Sequence, residues 1–326
     1  MRDMRDMNLI SRVFVFVGSL IGTTSILIPF SKLNQPSALE LEQQPVCNVL
    51  ALSGGGSFGA VQMGALDNLL SNNVAPQTFD IITGISAGGL NAGFLSYYTH
   101  AADALPRIFD IFANLTTADI YTSDIFHVFS SYAIYSTAPL QATLSGIVGS
   151  QPQQSPAPIT LVGSTNINTQ TLDVFQYSAA DTTEKVQLLL STSAIPFVFP
   201  PQTMNGDLYV DGGVISNEMI QQAVSAKDCG FYNFTFISAS PVHQTQNITG
   251  FGSYISAIGR LLLNTFDYQL AEYESIKCMN TPRGSINACF PTNPEIENYS
   301  ILNFDSGAVL YDLGKSGVSC NQYNFC

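Results

Sequence analysis

The chain has 326 residues, a formal net charge of −13, 46% hydrophobic residues and only 11% charged ones. That length and apolar content suffice for one large α/β core. The acidic balance excludes nucleic-acid binding, which needs a basic footprint, and purely electrostatic attachment to anionic lipid.

At the N-terminus, Arg2, Arg5 and Arg12 precede an apolar run over residues 13–30, with Asp3 and Asp6 diluting the basic stretch. The pattern reads as a cleaved signal peptide. The run is longer than a usual signal core and close to the lower limit for a bilayer span, so an uncleaved N-terminal anchor is the alternative. Residues 1–34 are therefore assigned to a signal or anchor plus linker. The body is expected to be secreted or in the endomembrane lumen. The six cysteines are even in number and lack metal-type CxxC spacing, which suggests disulfides. Cys278–Cys289 and Cys320–Cys326 are expected as local loops, leaving Cys47 to pair with Cys229 from neighbouring strand starts. Sequons at Asn114, Asn233, Asn247 and Asn298 suggest a glycoprotein, although Asn233 enters an apolar run.

Along the chain, residues 46–52 read as a buried strand running into Gly54-Gly55-Gly56, and 60–70 as a helix. Residues 79–83 form a second strand, followed by a tight turn and a helix over 87–98. This succession is the signature of an α/β fold, a central mostly parallel sheet flanked by helices. Residues 101–150 are apolar and helix-leaning. Residues 159–165 and 171–177 read as a strand pair, and 185–191 as a short helix halted by Pro196, Pro200 and Pro201. Tyr209-Val210 leads into Asp211-Gly212-Gly213. A helix is expected over 216–227, a strand over 234–239 and a long amphipathic helix over 252–277. The remainder reads as irregular apart from a strand over 299–304. The catalytic body is placed at 46–305 and a cysteine-containing tail at 306–326.

Three blocks carry chemistry. Gly84-Ile85-Ser86-Ala87-Gly88 is a G-x-S-x-G on a strand-to-helix turn, where a nucleophile projects its Oγ and the following helix aims its positive end at a developing oxyanion. Gly54-Gly55-Gly56-Ser57-Phe58-Gly59 satisfies G-x-G-x-x-G, so a dinucleotide site must be weighed. The acid that site requires would be Asp80, which stands at the start of its strand, the wrong end of the sheet. An oxyanion hole of backbone N–H groups is the better reading. Asp211, followed by two glycines at a strand end, is unhindered and could take the serine proton itself if partly desolvated. The chain has only three histidines, His100, His127 and His243, and only His243 follows Asp211. It is the one that could complete a Ser–acid–His order.

In this order the blocks resemble the patatin-like phospholipase family, which pairs a Gly-rich oxyanion loop and a G-x-S-x-G nucleophile with an Asp-Gly-Gly or Asp-Gly-Ala base. The stretch from Ser191 to Pro201 and Asn217 also resemble that family, and the similarity covers residues 46–240. It implies a three-layer α/β/α architecture and a Ser86–Asp211 dyad without cofactor or metal. It further implies an oxyanion hole among Gly54, Gly55, Gly56, Ser57 and Gly59, centred on the N–H groups of Gly55, Gly56 and Ser57, with Gly84, Gly88, Gly212 and Gly213 flanking the motifs. The expected substrate is a lipid or ester, met through transient apolar contact with a membrane or micelle, in lipid catabolism. Many members carry Arg or Lys where this chain has Phe58, which turns the expectation toward neutral glycerides, galactolipids or generic esters. The competing readings are a secreted non-catalytic storage or binding protein on the same scaffold and a nucleotide-binding oxidoreductase.

Overall fold

The computed structural model describes residues 45–123, 128–151, 154–241 and 283–325, all within one compact unit. The expected helix over 252–277 lies outside the described residues, as do His127, His243, Asn247, Cys278 and Cys326. Among the described residues, no helix is long and apolar enough to cross a membrane.

The helices that matter below are α1 (Gly59–Ser71), α2 (Ala87–Leu95), α3 (Ala101–Asn114), α4 (Ala138–Gly149), α5 (Thr182–Thr192), α6 (Ile220–Ala226) and α7 (Gly307–Ser316). The strands are β1 (Val46–Leu52), β2 (Ile81–Ile85), β3 (Thr122–Ser123), β4 (Tyr135–Ser136), β5 (Ile159–Asn166), β6 (Thr171–Gln176), β7 (Gln202–Met204), β8 (Asp207–Asp211), β9 (Phe231–Ile237), β10 (Arg283–Pro291) and β11 (Val318–Phe325). The small β3–β4 pair stands apart. The others form a mixed sheet in the order β11-β10-β9-β1-β2-β5-β8-β7, with β6 also on β5. Its centre, β10-β9-β1-β2-β5, is parallel throughout.

A period-two alternation explains why these strands are buried on both faces. In β1, Leu50 and Leu52 enter the larger core beneath α1, α2 and α3, while Cys47, Val49 and Ala51 enter the core on the opposite face with α6. Tyr232, Phe234 and Phe236 of β9 join that second core, and Ile237 the first. The layers are thus helix, sheet, helix. In α3, Ala101, Ala104, Leu105 and Ile108 are buried at the i, i+3, i+4, i+7 spacing of a one-sided helix.

Several expectations are corrected. Residues 299–304 do not form a strand, and the region read as irregular contributes α7 and the strands β10 and β11. α7 packs along α1, and the approach is close enough that a Cβ on Gly64 would lie 1.9 Å from Tyr311 O. The Cys47–Cys229 disulfide forms as expected, because β1 and β9 start side by side. Cys289 instead pairs with Cys320, directly across the β10–β11 ladder, which rules out Cys278–Cys289 and Cys320–Cys326. The helix expected over 216–227 is confined to α6. Asn233 lies within β9 and its Nδ2 donates to Asn48 Oδ1 at 3.1 Å.

Candidate active site

Strand β5 determines where the site forms. β6 fills one of its edges from Leu161 to Asn166. On the other edge, β2 runs parallel up to Ile85 opposite Gly163, and β8 runs antiparallel down to Asp211 opposite Ser164. The two strands point at each other, and their C-terminal ends are one register position apart. Ser86 follows the first and Asp211 ends the second, so two residues remote in sequence emerge at one place.

Ser86 sits on the elbow between β2 and α2 with φ 53° and ψ −125°. Such a backbone persists only where the surroundings over-determine it. Two constraints do so here. Helix α2 crosses the strands at backbone contact: a Cβ on Gly84 would lie 2.1 Å from Gly88 O, and one on Gly88 2.3 Å from Leu52 O. The Ser86 N–H also donates to Thr192 Oγ1 at 2.9 Å, and that hydroxyl donates to Gly163 O at 2.6 Å. The Ser86 side chain does not cap its own helix.

Asp211 is buried, and its Oδ1 accepts the Gly213 N–H at 2.8 Å. Burial pushes its carboxyl up to about 7, opposed by the Ser86 side chain and the Gly213 N–H, which favour the ionised form. Oδ2 has no hydrogen-bond partner among the described residues. A buried carboxylate with an open oxygen and a raised pKa is chemically able to accept a proton from a neighbouring hydroxyl. Gly212 lies close against β5, where a Cβ would meet Gly163 O at 2.5 Å. Nearby, burial also pushes the carboxyl of Glu218 up to about 8.

In the glycine loop, the backbone N–H groups are divided between structure and vacancy. Gly54 N–H donates to Asn217 Oδ1 at 2.7 Å, tying the loop to the segment that follows Asp211. Ser57 N–H donates to Ile301 O at 2.8 Å, and Gly59 N–H bonds back to Gly56 O and Ser57 O. These three groups are therefore occupied, which corrects the expectation that Gly54, Ser57 and Gly59 contribute N–H groups to an oxyanion hole. The N–H groups of Gly55 and Gly56 have no acceptor among the described residues. Gly56 has φ +57°, and a Cβ there would meet Ile301 O at 2.3 Å, so only glycine suits this position. Below the loop, the buried Gln62 amide donates to Ser53 O and Ile237 O, and Asn91 donates to Gly59 O and Gln62 Oε1. Thr192, Gln62, Asn91 and the Ile301 carbonyl have structural roles in the site that the sequence motifs do not reveal.

An almost wholly apolar cavity of ≈ 50 Å³ adjoins this arrangement, lined by Gly56, Ala87, Leu90, Phe94, Leu144 and Phe304 among others. Its far walls come from α3 and α4, the apolar stretch between residues 101 and 150. Phe58 is fully buried in the main core and presents nothing to an incoming head group. His100 is exposed and precedes α3, where the Ala101 N–H bonds Gln77 O ahead of β2, away from the elbow. Asp80 accepts from Asn48 N–H at 2.9 Å and from Lys227 Nζ at 2.7 Å, so it clamps the starts of β1 and β2. The dinucleotide reading therefore lacks its acid. Among the described residues, no cluster of His, Cys, Asp or Glu is suited to a metal.

The family model for patatin-like phospholipases matches residues 50–224, more than half of the chain. This chain belongs to the patatin-like phospholipase family. The matched span contains the glycine loop, the Ser86 elbow, Asp211-Gly212-Gly213 and Asn217. Two viral relatives are similar to this patatin-like chain. An uncharacterised protein of Acanthamoeba polyphaga mimivirus is 26% identical over 175 residues, 52% of this chain and 58% of its own length. A protein of Invertebrate iridescent virus 6, named a probable lipid hydrolase, is 29% identical over 184 residues, 54% of this chain and 62% of its own. The chain thus spans about three-fifths of the length of these relatives. Among solved structures, VipD from Legionella pneumophila aligns over 85% of this chain and 68% of its own, with 12% identity and a TM-score of 0.38.

Proposed function

We propose that this patatin-like protein is a lipid acyl hydrolase, a serine carboxylic-ester hydrolase that cleaves fatty-acyl esters in lipid catabolism. The observation that carries this reading is the convergence of Ser86 and the buried Asp211 on one edge of β5, next to an apolar cavity. Asp211 takes the Ser86 hydroxyl proton as Oγ attacks the acyl carbonyl, and the tetrahedral oxyanion is held by the N–H groups of Gly55 and Gly56. The proton passes to the leaving alcohol, and water activated by the same carboxylate then releases the acid from the acyl-enzyme. The similarity to a virus protein named a probable lipid hydrolase is consistent with this.

The acyl chain lies toward the cavity beside Ala87. Leu144 and Phe304 line this apolar space and set how much of the chain it takes. With Phe58 buried, no basic side chain at that position of the loop draws in a phosphate, which favours neutral glycerides, galactolipids or other uncharged esters. We further propose that the protein works in an oxidising, exported setting, supported by the disulfides Cys47–Cys229 and Cys289–Cys320 and the signal-like first thirty residues.

The test is hydrolysis of p-nitrophenyl esters and a neutral and polar lipid panel by the wild type and Ser86→Ala. Turnover by the wild type alone supports the reading. Folded wild type that turns over no ester and is not labelled by a serine-directed fluorophosphonate would instead be a storage or binding protein.

A further inference from the structure

Two aromatic side chains outside the site stand exposed, Tyr132 at 67% and Phe197 at 77%. Both have positive φ, 57° and 65°, a region that bulky residues enter only under constraint. The constraint is local: Ala133 bridges to Phe197, Ile134 N–H donates to Phe197 O at 3.0 Å, and Tyr135 N–H donates to Val198 O at 3.1 Å. The two aromatics therefore leave from neighbouring backbone. Around them Ala133, Ile195, Val198 and Phe199 are buried. The chain bends so that two large rings face solvent while their neighbours pack inward, which serves no need of the core.

The surroundings identify what these rings meet. No Asp, Glu, Lys or Arg occurs between Asp124 and Asp173, or between Lys185 and Asp207, in a chain of net charge −13. A charged partner would find no complementary group in these segments, and an anionic lipid surface would repel the chain as a whole. A neutral or zwitterionic lipid surface requires only apolar insertion, and a tyrosine, apolar in its ring and polar at its tip, suits the head-group level. Beneath the rings an aromatic layer leads to the site. Phe199 lies 5.6 Å from Tyr121, and Tyr121 meets Phe304 edge-on at 6.4 Å. Phe304 in turn lines the cavity beside Ala87.

We propose that Tyr132 and Phe197 form an interfacial anchor that docks this protein on a neutral or zwitterionic lipid surface, with the Ser86 site behind it. The inference rests on the lipid acyl hydrolase reading, and its test separates the two. The full chain and the double variant Tyr132→Asn/Phe197→Asn are compared on phosphatidylcholine vesicles and on a short soluble p-nitrophenyl ester. Asn tolerates the left-handed backbone, so the variant is expected to fold. Vesicle binding should fall by about tenfold or more while soluble-ester turnover stays within about twofold. Phe197→Trp adds a lone tryptophan to a chain that has none, and its emission should shift to the blue on vesicle addition. Undiminished binding by the double variant, an unshifted emission, or wild-type preference for phosphatidylserine vesicles overturns the anchor. So does a change from dimer to monomer in the double variant, which would mark the patch as a self-interface. Failure of the wild type on the soluble ester counts against the hydrolase reading, while vesicle binding still decides the anchor.

Discussion

Thr192 holds Ser86 by the backbone: its Oγ1 accepts the Ser86 N–H at 2.9 Å and donates to Gly163 O at 2.6 Å. Gly163 immediately precedes Ser164, the residue opposite Asp211. One buried hydroxyl thereby joins the elbow of the proposed nucleophile to the strand that registers the proposed base. Thr192→Val keeps the shape and removes the link. We expect kcat to fall by about 10–100-fold with little change in KM, because small displacements of reacting groups have costs of that size. Thr192→Ser should recover most of the loss. Steady-state kinetics on a soluble ester checks this, and equal losses in the Val and Ser variants would assign Thr192 to packing alone.

The burial of Asp211 fixes the pH dependence. A base works only when ionised, and this carboxyl is pushed up to about 7. Activity should therefore rise through an apparent pKa near 7, well above an ordinary aspartate. Glu218 is also raised, to about 8. The pH profile of kcat/KM for Glu218→Gln should keep the limb near 7, and its disappearance would transfer that limb to Glu218.

The same burial has a consequence for stability. The unfolded carboxyl ionises near its ordinary value of 3.8, whereas the folded one holds its proton to about 7. As pH rises from about 4 to 7 the unfolded state loses this proton first, so wild-type stability declines across that window. Asp211→Asn removes the dependence. The variant should match the wild type near pH 4 and exceed it by on the order of 2–4 kcal/mol at pH 8. Denaturant titrations at the two pH values measure the difference, and a variant less stable at pH 8 would contradict the assigned burial cost.

Acyl preference should follow the cavity wall. Leu144 lies on α4 facing the space beside Ala87. Leu144→Trp should depress turnover of long-chain esters by about tenfold or more and leave acetate and butyrate esters within about threefold. A chain-length series reads this out, and a uniform loss would place the acyl chain elsewhere.

The motif residues were legible because their chemistry and their local geometry coincide. Singly, a glycine-flanked serine and an acid before two glycines are also ordinary turns; their order along the chain after the glycine loop is what singled them out. Their meeting was not legible from local pattern. It depends on β8 running antiparallel to β5 while β2 runs parallel, a matter of strand order and register. The same limit governs the cysteines. Cys289 faces Cys320 only because β10 and β11 pair in one register, which short loop spacing conceals. Residues 299–304 have strand-like composition, yet Ile301 spends its carbonyl on Ser57 N–H and so anchors the glycine loop. Thr192 lies in the polar run Ser191-Thr192-Ser193, which is buried although no apolar periodicity marks it.

The central claim is that Asp211 activates Ser86 directly. Its most direct measurement is the rate at which a fluorophosphonate phosphonylates Ser86, followed by intact mass and peptide mapping at pH 8. We predict a loss of about 10³-fold or more in Asp211→Asn, with His100→Ala, His127→Ala and His243→Ala close to the wild type. Labelling that survives Asp211→Asn, or that is lost in folded protein lacking any one histidine, would contradict the dyad.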